Sequence, residues 1–303
     1  MTHPTGQRIG VIGLGAMGAP MALRLLEGHG EVHLAGRSPR PELVDAGATW
    51  HADYSSLAAA CNVVLLMLPD VPEARAVLFS TPDGAVSGLL DGVAERGEEL
   101  LLLIGSTSSA VAVRELAEEV SAASHGRVRL VDAPVSGGVD GAVAGTLSIM
   151  MGGGETECAA AAAALAPCGS AVRLGPVGAG EVAKACNQLV VSATILALGE
   201  ATVLAERSGL DVQAMWDLLD GGYAGSRLLT TRKQRLVEHD DSPSGAAKYL
   251  LKDLRCGLEV AEATRTSAEL LPALEATFAR IAAAGLGDRD MSVTRRYIAG
   301  DCA

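Results

Sequence analysis

The segment Arg8–Gly18, RIGVIGLGAMG, is the clearest structural signal in this chain. Its apolar start predicts a buried strand from Arg8 to Ile12, and a helix pattern follows the glycines from Ala19 to Leu26. A Gly-x-Gly-x-x-Gly turn between a strand and a helix is typical of dinucleotide-binding units, because glycines let the backbone approach a pyrophosphate and the helix N-terminus offers free N–H groups. We therefore expect cofactor binding at Gly13, Leu14, Gly15, Ala16, Met17 and Gly18.

Strand and helix patterns continue to alternate after this segment. Two runs, 62–68 and 100–104, are apolar apart from Asn62 and predict strands that are covered on both faces of a parallel sheet. The alternation predicts an α/β fold, with an N-terminal Rossmann-type, doubly wound sheet over residues 1–178. Ligands of such sheets bind beyond the carboxyl ends of the strands, which draws attention to Leu68, Pro69 and Thr107.

The end of the second predicted strand, 31–35, bears on the choice of cofactor. NAD-binding units normally place Asp or Glu there for the ribose hydroxyls, whereas this chain has Gly36, Arg37 and Ser38. An arginine and a serine suit a 2′-phosphate, so the sequence favours NADP(H) over NAD(H). The alternatives are a solvated turn, or an arginine that only stacks on adenine while either cofactor binds.

A second glycine-containing stretch follows the strand predicted at 128–132. Ser136, Gly137 and Gly138 would expose a hydroxyl and successive backbone N–H groups, an arrangement that holds a carboxylate well. A plain glycine turn is the alternative, and spacing alone does not decide between the two.

The longest predicted element runs from 181 to 208, with no proline and one internal glycine. As a helix it would be about 42 Å long. Lys184, Asn187 and Gln188 stand at i, i+3 and i+4 and therefore share one face of an otherwise apolar helix. These three side chains are a candidate active site; the alternative is a solvated stripe or a lysine that reaches out to water.

The pattern after this helix changes to helices alone. Four further helices are predicted with no strand between them: 212–219, 225–237, 246–263 and 268–284. We expect a second, all-α domain over residues 179–303, which the long interdomain helix joins to the first.

Composition limits the partners. The chain has 303 residues and a net charge of −12, and it shows no basic stripe, so we expect neither nucleic acid nor an anionic membrane as a partner. No apolar run reaches transmembrane length without a charge, and no signal-like segment precedes the first strand, so a cytoplasmic location is expected. The six cysteines include no CxxC pair, and we expect no metal site.

Taken together, these motifs resemble the β-hydroxyacid dehydrogenase family, which includes 3-hydroxyisobutyrate dehydrogenase, tartronate semialdehyde reductase and glyoxylate/succinic semialdehyde reductases. The resemblance rests on the glycine turn with Met17, on 132–138, on 145–147, on Lys184-x-x-Asn187 and on Lys252-Asp253. It implies an NAD(P)-dependent oxidoreductase that transfers hydride between the cofactor and a small semialdehyde or β-hydroxy acid bearing a carboxylate. It also implies a homo-oligomer, either a dimer or a tetramer.

The resemblance further implies roles for individual residues. Lys184 would be the general acid/base, Ser136–Gly138 would bind the substrate carboxylate, and Asn187 and Gln188 would orient the substrate or the lysine. The cofactor would contact Leu68, Pro69, Thr107 and Lys252.

The chain departs from the family pattern at a few positions, so the resemblance does not identify the substrate within this class. Gln188 stands where a second Asn is frequent, and Ile104 stands where an Asp is usual. Three other interpretations remain. Lys184 speaks against an imine reductase-like NADPH enzyme, Asn187 speaks against a 6-phosphogluconate dehydrogenase, and the intact set of candidate residues speaks against a non-catalytic dinucleotide-binding regulator.

Overall fold

A computed structural model describes residues 6–81 and 86–301 of the chain. Up to the long helix, the elements are β1 (Ile9–Ile12), α1 (Gly18–His29), β2 (Val32–Ala35), α2 (Pro41–Asp45), β3 (Thr49–Trp50), α3 (Tyr54–Ala60), β4 (Val63–Leu66), α4 (Val71–Leu78), α5 (Leu89–Arg96), β5 (Leu100–Ile104), α6 (Ala110–Ala123), β6 (Val128–Asp132), β7 (Val135–Ser136), α7 (Gly138–Ala144), β8 (Leu147–Gly152), α8 (Glu155–Leu165), a 3-10 turn (Ala166–Cys168), β9 (Gly169–Gly175) and α9 (Ala179–Arg207). The remaining elements are α10 (Val212–Asp220), α11 (Arg227–Glu238), α12 (Ala247–Thr264), α13 (Leu270–Ala283) and α14 (Val293–Ala299).

The chain divides into two compact units, one up to Lys184 and one from Ala185 onward. The division falls inside α9, so this one helix belongs in part to each unit. The functional boundary predicted between residues 178 and 179 lies close to this division and stays a prediction.

The first unit is built on one sheet with the strand order β3-β2-β1-β4-β5-β6-β8-β7, and β9 pairs with β8. The strands from β3 to β6 are all parallel, whereas β8 runs antiparallel to β6 and to β7. The order 3-2-1-4-5-6 is that of a doubly wound dinucleotide-binding sheet. The predicted Rossmann-type architecture is thereby confirmed.

Two apolar clusters lie on opposite faces of this sheet, because successive side chains of a strand point to opposite sides. On β4, Val63 and Leu65 pack into one cluster, and Val64 and Leu66 pack into the other. All four side chains are buried, as the uninterrupted apolar run predicts for a strand covered on both faces.

The second unit is helical, and no strand is assigned in the part of it that the structure describes. Its core includes Trp216, Leu250 and Phe278. The one glycine inside α9, Gly199, allows α14 to approach, since a Cβ atom there would lie only 2.6 Å from Thr294 Oγ1. The Thr294 hydroxyl also donates a hydrogen bond of 3.1 Å to the Ile195 carbonyl. The expectation of an all-α second part is confirmed.

Several short elements were not predicted, and their glycines explain part of the omission. Helix α5 contains Gly92, which weakens a helix pattern. A Cβ atom at Gly92 would clash with the Ser55 carbonyl oxygen, so the glycine permits close packing against the start of α3. Helix α7 contains Gly141 for a related reason, because a Cβ atom there would lie 3.2 Å from Leu147 Cδ2.

By length and composition, α9 is apolar enough to cross a membrane, and 44% of its most apolar window is buried within the protein. The sequence had suggested that no segment would qualify, because charges interrupt this stretch. A core helix of a soluble protein meets the same criterion, so α9 alone does not indicate a membrane protein.

Candidate functional site

The glycine-rich loop between β1 and α1 packs closely against neighbouring backbone atoms at Gly13 and Gly18 and is open at Gly15. Gly13 has a φ of +97°, and a Cβ atom there would clash with the Met67 carbonyl oxygen. A Cβ atom at Gly18 would clash with the Gly13 carbonyl, whereas one at Gly15 would meet no atom of the described residues within 4 Å. The loop therefore needs Gly13 and Gly18 for its own shape, and Gly15 leaves its backbone accessible from outside. This is the arrangement that a pyrophosphate requires.

Other predicted cofactor residues lie at the same edge of the sheet. Leu68 and Pro69 follow β4, and the N–H of Met67 donates to the Ile12 carbonyl at 2.8 Å. Thr107 follows β5, where the N–H of Gly105 donates to the Leu66 carbonyl at 2.9 Å. These two bonds align the ends of β1, β4 and β5. The glycine loop, Leu68–Pro69 and Thr107 therefore all lie at the carboxyl end of the sheet.

The turn after β2 contains a second arginine that the sequence analysis did not single out. Arg37 and Ser38 are both exposed, as expected. Arg40 Nε donates a hydrogen bond of 3.1 Å to the Leu14 carbonyl, so this side chain reaches the glycine loop. In the sequence, the only sign of a role for Arg40 was its position three residues after Arg37. The structure shows that its side chain turns toward the glycine loop.

The start of α9 is capped by a carboxylate from β6. Asp132 is fully buried, and its two oxygens accept the N–H groups of Gly178 at 2.7 Å and Glu181 at 2.9 Å. Burial raises the pKa of the Asp132 carboxyl above its ordinary value, and these N–H bonds oppose the rise. Residues 132–138 were of interest in the sequence because they follow a predicted strand, but the capping role of Asp132 was not predicted.

Glu181 connects the same helix turn to the loop after β5. Its side chain is 1% exposed, and its Oε2 accepts the backbone N–H of Ser108 at 3.0 Å. No motif pointed to Glu181, because its partner lies 73 residues away in the sequence.

The Ser136–Gly138 segment forms a tight turn between two elements. Ser136 ends β7 and pairs with Ser148 of β8. Gly137 and Gly138 have φ angles of +136° and +66°, and both are exposed. Side chains beyond glycine rarely adopt such angles, so the Gly-Gly pair is required by the turn itself.

Lys184 lies on α9 and is 7% exposed, which is unusual for lysine. Asn187 and Gln188 follow on the same helix, and Asn187 Nδ2 donates to Gln188 Oε1 at 2.7 Å. Within the second unit, Gln188 Nε2 donates to Asp253 Oδ2 at 2.5 Å, and Lys252 Nζ lies 3.9 Å from Asp253 Oδ1. Asp253 is buried, and it is a residue whose bonding the sequence analysis did not foresee.

Among residues 6–81 and 86–301, no group of three or more His, Cys, Asp or Glu side chains is arranged to hold a metal ion. The carboxylates of Asp132, Glu181 and Asp253 instead accept hydrogen bonds from backbone N–H groups or from an amide.

Two family models match consecutive parts of the chain. Residues 8–178 match the NAD binding domain of 6-phosphogluconate dehydrogenase, and residues 178–298 match the NAD-binding domain of NADP-dependent 3-hydroxyisobutyrate dehydrogenase. Together they cover both units.

Individual proteins agree with these models. The chain is 31% identical to 2-hydroxy-3-oxopropionate reductase of Escherichia coli, over 84% of this chain and 85% of that protein. It is 34% identical to a probable 3-hydroxyisobutyrate dehydrogenase of Mycobacterium bovis, over 86% of this chain and 88% of that protein. A solved structure of the 3-hydroxyisobutyrate dehydrogenase of Mycobacterium tuberculosis with L-serine superposes with a TM-score of 0.80 at 29% identity, covering 96% of this chain and 99% of that one.

The family of this protein follows from three findings: the dinucleotide-binding loop, the order of the strands, and these similarities over most of the chain. The chain is an NAD(P)-dependent oxidoreductase, and it belongs to the β-hydroxyacid dehydrogenase family.

Proposed function

We propose that this enzyme interconverts a small carboxylated semialdehyde and its β-hydroxy acid, with Lys184 as the general acid/base. The observation that carries the proposal is the burial of Lys184 on an apolar helix. Lysine is rarely buried, and a buried amine on the helix face that also carries Asn187 and Gln188 suits a general acid or base. A proton donor is needed because negative charge develops on the carbonyl oxygen during reduction.

The residues of the first unit fit a nicotinamide dinucleotide. Gly15 leaves the loop accessible, and the strand ends at Leu68, Pro69 and Thr107 lie at the same edge. When bound, the cofactor supplies or accepts the hydride. Lys184 then gives a proton to the substrate oxygen in reduction and removes it in oxidation. We propose that Lys252 also contributes to cofactor binding.

NADP(H) is the proposed cofactor. Gly36 places no acid at the end of β2, so nothing there repels a 2′-phosphate, and Arg37 and Ser38 offer a guanidinium and a hydroxyl. Arg40 adds a positive charge beside Leu14 of the glycine loop, which would favour either cofactor. In a chain with a net charge of −12, such a local positive group offsets the unfavourable field that a polyanionic cofactor meets.

A carboxylate on the substrate is proposed because Ser136, Gly137 and Gly138 combine a hydroxyl with an exposed Gly-Gly turn. Asn187 and Gln188 would orient the rest of the substrate. The names of the relatives are consistent with this class, since 2-hydroxy-3-oxopropionate, 3-hydroxyisobutyrate and L-serine are all small carboxylates with a hydroxyl group.

We further propose that the enzyme is a cytoplasmic homodimer or homotetramer. Several large apolar side chains of the second unit are exposed, among them Leu218 (78%), Val190 (64%) and Leu204 (62%). Burial of such side chains in an interface would remove apolar surface from water. Light scattering at working concentration should give a multiple of 30.8 kDa, and a mass of one chain would contradict the proposal.

The test of function is a panel of short aldehydes, each supplied with and without a carboxylate, in which the fall of NADPH absorbance is followed. We expect the carboxylated members to be reduced with the higher kcat/KM. Equal rates for the neutral aldehydes would refute the carboxylate anchor. Reduction of cyclic imines but not of aldehydes would indicate an imine reductase, and NADPH binding without any turnover would indicate a regulator.

A further inference from the structure

The buried Glu181 lies one helical turn before Lys184 on α9, and the reaction proposed above assigns it no part. Its position is fixed at the backbone, because its N–H donates to Asp132 Oδ2 at 2.9 Å. The adjacent Gly180 packs so tightly that a Cβ atom there would lie 2.8 Å from the same carboxylate oxygen. The first turn of α9 therefore has little freedom to move relative to β6.

The side chain of Glu181 extends to a different part of the unit. Its Oε2 accepts the N–H of Ser108, which is itself only 1% exposed. Ser108 belongs to the short connection between β5 and α6, next to Thr107, at the edge of the sheet where the cofactor residues lie. Gly105, at the start of this connection, is packed so closely that a Cβ atom would clash with the sulfur of Met67.

We propose that Glu181 is a positioning residue: its hydrogen bond to Ser108 holds the connection that carries Thr107 in register with the helix turn that carries Lys184. The inference rests on the proposed role of Lys184. A hydrogen bond between two buried groups suits this task, because it is directional and is not exchanged with water. Hydride and proton transfer require reacting groups in near-contact geometry, so a small displacement of either side lowers the rate.

Two substitutions separate the hydrogen bond from the other properties of the side chain. Glu181→Gln keeps a carbonyl oxygen that can accept from Ser108 but removes the charge. Glu181→Met keeps a similar volume and removes the acceptor. Asp53→Ala is a matched control in the same unit, because Asp53 Oδ1 accepts the N–H of Ser56 at 2.7 Å at the start of α3, on the surface.

Three measurements apply to each variant. Hydrogen–deuterium exchange of peptides spanning 105–109 is followed without cofactor, NADPH affinity is measured by fluorescence, and kcat is measured together with the isotope effect of 4-deuterated NADPH. For Glu181→Met we expect faster exchange at 105–109, a kcat reduced by about tenfold or more, and NADPH affinity within about threefold of the parent protein. The isotope effect should rise because hydride transfer becomes slower than product release. Glu181→Gln should stay within about threefold of the parent in kcat, and Asp53→Ala should match the parent in all three.

Two results would overturn the proposal. One is an unchanged kcat and isotope effect in Glu181→Met, which would leave only a structural role. The other is a kcat reduced by about tenfold or more in folded Glu181→Gln, which would show that charge rather than the hydrogen bond matters. This second test uses only the parent protein as its reference, so it stands even if the Met variant does not fold. Lys184→Ala is assayed in parallel: full turnover in that variant refutes the role of Lys184, whereas the comparison of Gln with Met at position 181 bears on Glu181 alone.

Discussion

Gln188 Nε2 donates a 2.5 Å hydrogen bond to Asp253 Oδ2, and this bond determines the orientation of two amides. The oxygen of Asp253 accepts this bond, so the nitrogen of Gln188 faces the acid. Gln188 Oε1 then points away and accepts the Nδ2 of Asn187 at 2.7 Å. A buried acid on α12 thus sets which atoms of two proposed substrate-orienting side chains act as donors and which as acceptors.

The first prediction concerns this chain of bonds. Asp253→Asn can present either an oxygen or a nitrogen to Gln188, so the amides lose their single orientation. We expect kcat/KM to fall by about tenfold or more, equivalent to about 1.4 kcal/mol, which is within the range for one charged hydrogen bond. Asp217→Asn is the control, because Gln213 donates to Asp217 at 2.9 Å on the exposed surface of α10. Its kcat/KM should remain within about twofold; equal losses in the two variants would contradict a specific role for Asp253.

The second prediction separates two glycines of the same loop. Gly18→Ala places a methyl group against the Gly13 carbonyl and should lower Tm by about 3 °C or more. Gly15→Ala meets no described atom within 4 Å, so its Tm should stay within about 1 °C, while the dissociation constant of NADPH rises by about tenfold or more. Thermal denaturation and fluorescence titration measure both quantities. An unchanged NADPH affinity in Gly15→Ala would mean that the loop is not the phosphate site.

The third prediction concerns cofactor choice. Arg37→Ala should raise the KM for NADPH by about tenfold, or about 1.4 kcal/mol, and leave NADH nearly unaffected, because only NADPH carries the 2′-phosphate. Arg40→Ala is the comparison: it removes the donor to the Leu14 carbonyl and should weaken both cofactors alike. Equal losses for both cofactors in Arg37→Ala, or a preference of the parent enzyme for NADH, would show that Arg37 does not select the phosphate.

The fourth prediction is a dependence of stability on pH. Burial alone would raise the pKa of Glu206, but hydrogen bonds from Arg295 and His239 outweigh it, so the pKa of this carboxyl lies below its ordinary value. Arg295 donates to both carboxylate oxygens, at 3.1 and 2.6 Å, and ties α14 to the end of α9. The stabilisation is present above the unfolded pKa of about 4.3 and is lost as the pH falls through the folded value.

The matching experiment is thermal denaturation between pH 7 and pH 3. Between pH 7 and pH 3 the Tm of the parent protein should fall further than the Tm of Glu206→Gln, since the variant has no carboxylate to protonate at this position. The comparison of the two proteins is necessary because Asp132, whose pKa is raised by burial, changes stability in the opposite sense as the pH falls. Parallel Tm curves for the two proteins would contradict the assigned shift at Glu206.

The sequence was sufficient for the Rossmann-type sheet and for the common face of Lys184, Asn187 and Gln188, because both depend on local periodicity. It did not reveal Asp132, Glu181 or Asp253 as hydrogen-bonding centres. Their partners are 46 to 73 residues away, and the spacing of residues does not say which distant N–H or amide faces a carboxylate. The family resemblance had drawn attention to Lys252, whereas in the structure its neighbour Asp253 accepts the Gln188 amide and lies near the Lys252 ammonium.

A single substitution can test the proposed role of Lys184 in proton transfer. Lys184→Ala should reduce turnover of a carboxylated semialdehyde by about 10²-fold or more while the dissociation constant of NADPH barely changes. Lys248→Ala is the matched control, since that lysine is half-exposed and paired with Asp288, and its turnover should equal that of the parent enzyme. Near-normal turnover in folded Lys184→Ala, with NADPH still bound, would contradict the account.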